Sequence, residues 1–331
     1  MSPARPAFVT ALLGVAATLL GCSGEPTTAG LELPFRVLDA QFRAGKLPGL
    51  APLTADEVNA GVMPTAPAIT SVSVANSLIP VGEPSRTISG RASLGAAAVG
   101  LRLADHDDGY WLVPTGSADI VNNGEVEWRA RTAFGRNLEP GLHQLMFAAL
   151  DSKGNSGTRG TLNLCLAPEV PDNGNSCDPT VSPPALVIKL SWDNPVDLDL
   201  RVVTPSGQVV DSKHPSTAVE DENGDLDPSA PGTGVIASDA FANCAPTGRE
   251  RENLVFQTPP AAGTYLVYAN LYDSCGEPGV HFDVSLHVAG PGKEPDTFAT
   301  QETYRQAGEL QAVHENGGAR LGMYVTSFVA H

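Results

Sequence analysis

Basic side chains are scarce. Twenty Lys and Arg stand against 37 Asp and Glu, a net charge of −17. A chain this acidic has no basic surface for nucleic acid and no charge attraction to anionic lipid, although it can draw in cations. Long apolar runs are missing too. Phe8 to Leu20 is the one extended apolar stretch, and it is shorter than the roughly 20 residues that a membrane-spanning helix needs. Motifs of nucleotide and hydrolytic chemistry are lacking: no G-x-S-x-G elbow, no P-loop and no dinucleotide fingerprint. His314-Glu315-Asn316-Gly317-Gly318 begins like a zincin motif but has no second histidine four places on. These absences weigh against an enzyme.

What is present begins at the N-terminus. Arg5 and the α-amino group make a short positive n-region, followed by the apolar stretch and then Leu19-Leu20-Gly21-Cys22. This order resembles a signal peptide with a bacterial lipobox, in which the nucleophilic sulfur of Cys22 takes a diacylglyceryl group. The resemblance implies residues 1–21 as signal peptide and a lipid anchor in the cell envelope. Ser23, where an aspartate retains such proteins in the inner membrane, leans the expectation towards the outer membrane.

Removing the signal leaves about 310 residues, the length of two domains. With 34 Gly and 28 Pro the composition suits a loop-rich β protein. Four cysteines remain besides Cys22: Cys165, Cys177, Cys244 and Cys275. An even number in an exported chain suggests two disulfides, and three pairings are open. Cys165–Cys177 and Cys244–Cys275 are favoured, because each pair lies in one neighbourhood of the chain.

Residues 22–67 read as a tether and a mostly irregular segment. Leu33 to Leu38 is open to pairing as a strand, and Thr54 to Val58 looks like a capped helical turn. From 68 to 166, short alternating segments recur between turns: Val99, Leu101 and Leu103; Val126, Trp128 and Ala130; Leu145, Phe147 and Ala149; Leu162, Leu164 and Leu166. Period-two burial of this kind predicts an immunoglobulin-like sandwich. Residues 167–184 read as a linker. Residues 185–331 predict a second antiparallel sandwich, jelly-roll-like, with the cleanest alternation at Val280, Phe282, Val284, Leu286 and Val288. The fold class expected is therefore all-β, with two antiparallel β-sandwich domains.

Leu190-Ser191-Trp192-Asp193, Val196 to Val202 and Pro205-Ser206-Gly207 open the second domain; Gly224 to Asp227, Glu252-Asn253-Leu254 and Gly263 to Tyr268 follow. Together they resemble the YfaP-like domain of unknown function, over about 100 residues. The resemblance implies architecture and an envelope setting, and no activity. The loop carrying Cys244 is a departure from the pattern. The whole layout is similar to that of myxobacterial lipoproteins.

The candidate site is acidic. Asp193, Asn194, Asp197 and Asp199 lie where the second domain begins, and Asp197 and Asp199 are two apart on a strand, so they share a face. The following loop adds Glu220, Asp221, Glu222, Asn223, Asp225 and Asp227, with Asp239 and Glu252 beyond. Calcium takes six to eight oxygens of these types, which makes Asp193, Asp197, Asp199, Asp225 and Asp227 the candidate ligands. The spacing matches neither an EF-hand nor a nonapeptide repeat, so a solvated acidic face is the plainer reading. No other cofactor is implied. His281, Asp283 and His287 share a strand face, but the two histidines are too far apart to hold one zinc ion and read as a solvent face. Trp128 reads as core, while Trp111, beside Tyr110, is open to stacking on a sugar. The function expected is a non-enzymatic binding or structural module that contacts envelope protein or glycan, calcium being its one candidate ion. An envelope-polymer hydrolase using the acidic loop and an accessory subunit of a secretion or surface-assembly system are the alternatives.

Overall fold

The computed structural model describes residues 33–49, 67–81, 85–106, 108–118, 121, 124–218, 227–247 and 249–331. Among them there is no α-helix; strands form two separate cores. No helix among the described residues is long and apolar enough to cross a membrane.

The first sandwich uses β1 (Phe35–Val37), β2 (Gln41–Ala44), β3 (Ile69–Val74), β4 (Leu78–Pro80), β5 (Arg86–Ser93), β6 (Ala98–Leu103), β7 (Gly109–Ala118), β8 (Glu125–Phe134), β9 (Gly141–Leu150) and β10 (Gly160–Ala167). Its strands follow one hydrogen-bonded path, β3-β5-β8-β7-β6-β9-β10-β4, with β1 on β8 and β2 on β7. The path folds into two layers because β7 changes partner: Trp111 to Pro114 pair with β6, whereas Thr115 and Ala118 pair with β8 across a bulge. Alternate residues of each strand fill the space between the layers. Ile88, Val99, Leu101, Leu145, Leu164 and Trp128 are all buried there, each worth about 1.5–3 kcal/mol on leaving water. All ladders are antiparallel except β4 on β10, which is parallel. Residues 33–49 are more regular than the expected irregular segment: Phe35 and Val37 enter the core, and Phe35 packs on Phe134 at 5.5 Å between ring centroids. The helical turn expected near Thr54 lies outside the described residues.

The second sandwich uses β11 (Leu186–Trp192), β12 (Asp197–Val203), β13 (Val209–Val210), β14 (Gly234–Ile236), β15 (Arg251–Phe256), β16 (Gly263–Asp273), β17 (Gly279–Pro291), β18 (Phe298–Gln311) and β19 (Met323–Ala330). A five-stranded sheet, β14-β15-β11-β17-β18, faces a four-stranded one, β13-β12-β16-β19. The chain passes repeatedly between sheets, as in jelly-roll-like sandwiches. Inward residues alternate as the sequence predicts: Leu186, Ile188 and Leu190 from β11, Leu198, Leu200 and Val202 from β12, and Val280, Phe282 and Val284 from β17.

The segment between the sandwiches is strapped down. Cys165 and Cys177 are bridged, tying it to β10. The Asp172 carboxylate accepts the backbone N–H groups of Gly174 and Ser176 at 3.0 and 2.7 Å. Asn175 donates to the carbonyls of Val181 and Phe298. Glu169 accepts from Lys189 on β11 at 2.8 Å, with Arg251 at 3.4 Å. Lys189, Ser285 and His287 are buried although they point away from the core, Lys189 against Glu169 of this strap.

Candidate functional site

β12 has two buried faces. Its leucines and Val202 point into the core, and Asp197, Asp199 and Arg201 point the other way, where a bare sheet would meet water. They are only 3, 2 and 4 % exposed. Asp197 and Asp199 thus depart from the plainer expectation of a solvated strand face: Ser212, Lys213 and residues 239–243 lie over them and leave only a small cleft beside them.

Several contacts hold that covering segment. The Cys244–Cys275 bridge pins it to the end of β16. Asn243 donates its backbone N–H to Asp197 Oδ2 at 2.9 Å, and Ser212 Oγ donates to Asp199 Oδ1 at 3.2 Å. Phe241 is buried in the core. Phe241, Asn243 and Cys244 all adopt positive φ, at 62°, 55° and 60°. Left-handed backbone at non-glycine residues is costly, and it persists only where surrounding contacts enforce it.

One carboxylate oxygen each from Asp197, Asp199 and Asp239 lie within 4.8 Å of one another. Oxygens bound to one calcium ion, each about 2.4 Å from it, are at most about 4.8 Å apart, so the three are close enough to share one. The cleft they open into has a volume of about 130 Å³ and is also lined by Ser212, Lys213, Asn243 and Tyr272. That is room for one ion with several waters at about 30 Å³ each. Lys213 Nζ lies 5.2 Å from the centroid of the Tyr272 ring. On the far side, Arg201 donates to Asp199 Oδ2 at 3.4 Å and to the carbonyls of Gly318 and Arg320 at 3.2 and 2.6 Å.

The electrostatics follow from burial. Desolvation pushes the Asp197 carboxyl up to about 7; the Asn243 N–H opposes this, and the like charges of Asp199, Asp239 and Asp273 add to it. Burial also raises Asp199, against the pull of Arg201, and raises Asp239. Glu252 is raised well above the ordinary carboxylate range by complete burial. It projects inward from β15 beside Leu254 and Phe256, and accepts the backbone N–H of Leu200 at 2.8 Å and of Ala240 at 3.2 Å. It thus joins the two sheets to the covering segment and contributes no oxygen to the group of three.

The structure sorts the predicted ligands. Asp197 and Asp199 belong to the group, and Asp239, which the sequence placed at its margin, completes it. Asp193 lies elsewhere, accepting from the His281 backbone and Nδ1 at 3.0 Å. Asp227 is exposed and caps its own turn through Ser229. Asp225 and the lipidation candidate Cys22 lie outside the described residues. His281 and His287 do not form a zinc site. His287 is buried rather than on the expected solvent face, with Lys189, Glu302 and Arg305 around it and its Nε2 2.9 Å from Ser285 Oγ. Trp111 is also buried, its Nε1 donating to the Phe35 carbonyl at 3.1 Å, so it offers no sugar platform. Trp128 is core, as expected.

No family model matches the sequence, and no curated protein matches it. Solved structures give weak likenesses. Latent PorU from Porphyromonas gingivalis aligns with 78 % of this chain at 10 % identity and a TM-score of 0.25, and the chain spans 21 % of that structure's length. The C-terminal domain of the AgI/II polypeptide BspA from Streptococcus agalactiae aligns with 82 % of this chain and 98 % of its own at 11 % identity and a TM-score of 0.19. These values are too low to carry an argument about fold or function.

Proposed function

We propose that this protein is a lipid-anchored, non-enzymatic module of a bacterial cell envelope, leaning towards the outer membrane, that contacts protein or glycan and whose second sandwich is held by calcium. The observation that carries the calcium reading is the convergence of Asp197, Asp199 and Asp239, two of them buried, at a spacing that spans one ion. Uncompensated buried carboxylates repel, and a divalent cation reverses the sign of that interaction. The two disulfides support export to an oxidising compartment. Anchoring rests on the lipobox-like order of residues 5–22.

Thermal melting of the mature chain with calcium and with chelator tests the reading. Calcium raises the melting temperature of the wild type and leaves Asp199→Ala unmoved. Superimposable wild-type curves would refute calcium. Acylation is read independently, by mass spectrometry of the N-terminal peptide and its loss in Cys22→Ser.

A further inference from the structure

We infer that the free edge of β19 is a docking surface for an extended, basic-flanked peptide strand. This inference rests on the reading of the chain as a binding module and names the partner chemistry. Among the described residues β19 pairs with β16 alone, on one side. An edge strand leaves every second backbone N–H and C=O of its outer side unpaired, a template that another strand satisfies. The other edges of this sandwich are defended. β13 and β14 have two and three residues, and β18 carries Glu302, Arg305 and Glu309. β19 has eight residues with no charge and no proline. A bulge takes up Val325, and Thr326 to Ala330 continue as a regular ladder.

The edge is also apolar where it meets water. Tyr324 is 52 % and Val329 56 % exposed. At the start of the strand a cleft of about 630 Å³ opens between the sheets, floored by the core residues Ala269, Leu271 and Leu310 and walled by Met323 and Val313, the latter 82 % exposed. Met323, at the start of the strand, lines this cleft, so the apolar surface runs on from the edge.

Charge selects the occupant. Residues 185–331 hold eight Lys and Arg against twenty Asp and Glu, a net −12. His314 and Arg320 beside the cleft do not offset this, with Glu315 between them. A second copy would set two such domains edge to edge, whereas Lys or Arg flanking a neutral strand meets the field favourably.

The probe is a labelled synthetic peptide of alternating Val and Thr between Lys pairs, titrated into the mature protein and read by fluorescence anisotropy. It should bind. N-methylation of alternate amides should weaken binding by about tenfold or more in one phase and leave it in the other, because only one phase faces the ladder. Glu in place of Lys should weaken it, as should Val329→Lys and Met323→Lys, both surface changes whose melting curves should match wild type. Equal binding of the two N-methylated forms, or indifference to both substitutions, overturns the proposal. So does a wild-type dimer in sedimentation that Val329→Lys dissolves, which would give the edge to a second copy. A wild type that binds no strand yet still melts higher in calcium overturns the edge alone; loss of both responses removes the reading beneath it.

Discussion

Asp197→Asn should make the calcium-free protein more stable and the calcium-loaded protein less responsive. Asp197 is 3 % exposed, and burial raises its carboxyl from the ordinary 3.8 to about 7. A group whose folded value lies above its unfolded one favours folding fully below the unfolded value, and that contribution is lost as pH rises through the folded value. At about 1.4 kcal/mol per pH step, ionising Asp197 in the folded chain between 3.8 and about 7 costs at most about 4 kcal/mol, and relaxation around it leaves about 1–3 kcal/mol. Asparagine keeps an acceptor for the Asn243 N–H and carries no charge. At pH 8 in chelator the variant should therefore melt above wild type, by roughly 3–10 °C for a domain of this size. The gap should close towards pH 4, where the wild-type carboxyl is itself protonated. Calcium should then close the gap, and reverse the order where the gap is smaller, since saturation at 100-fold over Kd adds about 2.7 kcal/mol to wild type and little to the variant. The assay is calorimetry at pH 4, 6 and 8, with and without calcium. A variant that melts below wild type in chelator at pH 8, or that keeps the full calcium shift, would refute the reasoning.

Three further outcomes follow from the same geometry. Glu252→Ala strands the N–H groups of Leu200 and Ala240 in a buried place and should cost about 2–4 kcal/mol in urea unfolding; a loss below 1 kcal/mol would show that the joint between sheet and covering segment is not structural. Replacing Cys244 and Cys275 together by serine opens a loop with a sequence separation of 31 and should lower stability by about 3–4 kcal/mol. It should also blunt the calcium response, because Asn243 next to the bridge positions Asp197, and an unchanged calcium midpoint would contradict that coupling. Asp193→Ala should leave the calcium response intact, since Asp193 is engaged with His281; a lost response would mean that the ion sits elsewhere.

Much of the framework was legible because burial on one side of a strand writes itself as alternation. β17 shows it at Val280 to Val288, and β8 at Val126, Trp128 and Ala130, and both strands bury those residues. β18 was missed although it is the longest strand. Its outer side faces water, its residues Phe298 to Gln311 are mostly polar, and what orders it is the ladder to β17 from Gly279 to Pro291. Pairing with a neighbour leaves no periodic trace in the strand that is paired. The site was half legible for a related reason. Spacing placed Asp197 and Asp199 on one face, but the water they meet depends on a segment whose Asn243 folds back from a separation of 46.

The trace of that covering segment was present in the cysteines. Cys244 lies in the acidic loop and Cys275 just beyond β16, the neighbour of β12, so the favoured pairing brings the loop to the end of the sheet where Asp197 and Asp199 lie. Carboxylates on an open strand need no ion, because water screens them. The same carboxylates under a bridged loop repel in a medium that screens little, and the chain holds Asn243 and Cys244 in left-handed backbone beside them. Among the described residues Ser212, Arg201 and one backbone N–H bond the two buried groups and Lys213 lines their cleft, so Asp197, Asp199 and Asp239 stand against two cations, one of them shared with Asp211. That imbalance distinguishes the covered face from a surface acidic patch, and it is why the sign of the Asp197→Asn effect in chelator decides between them.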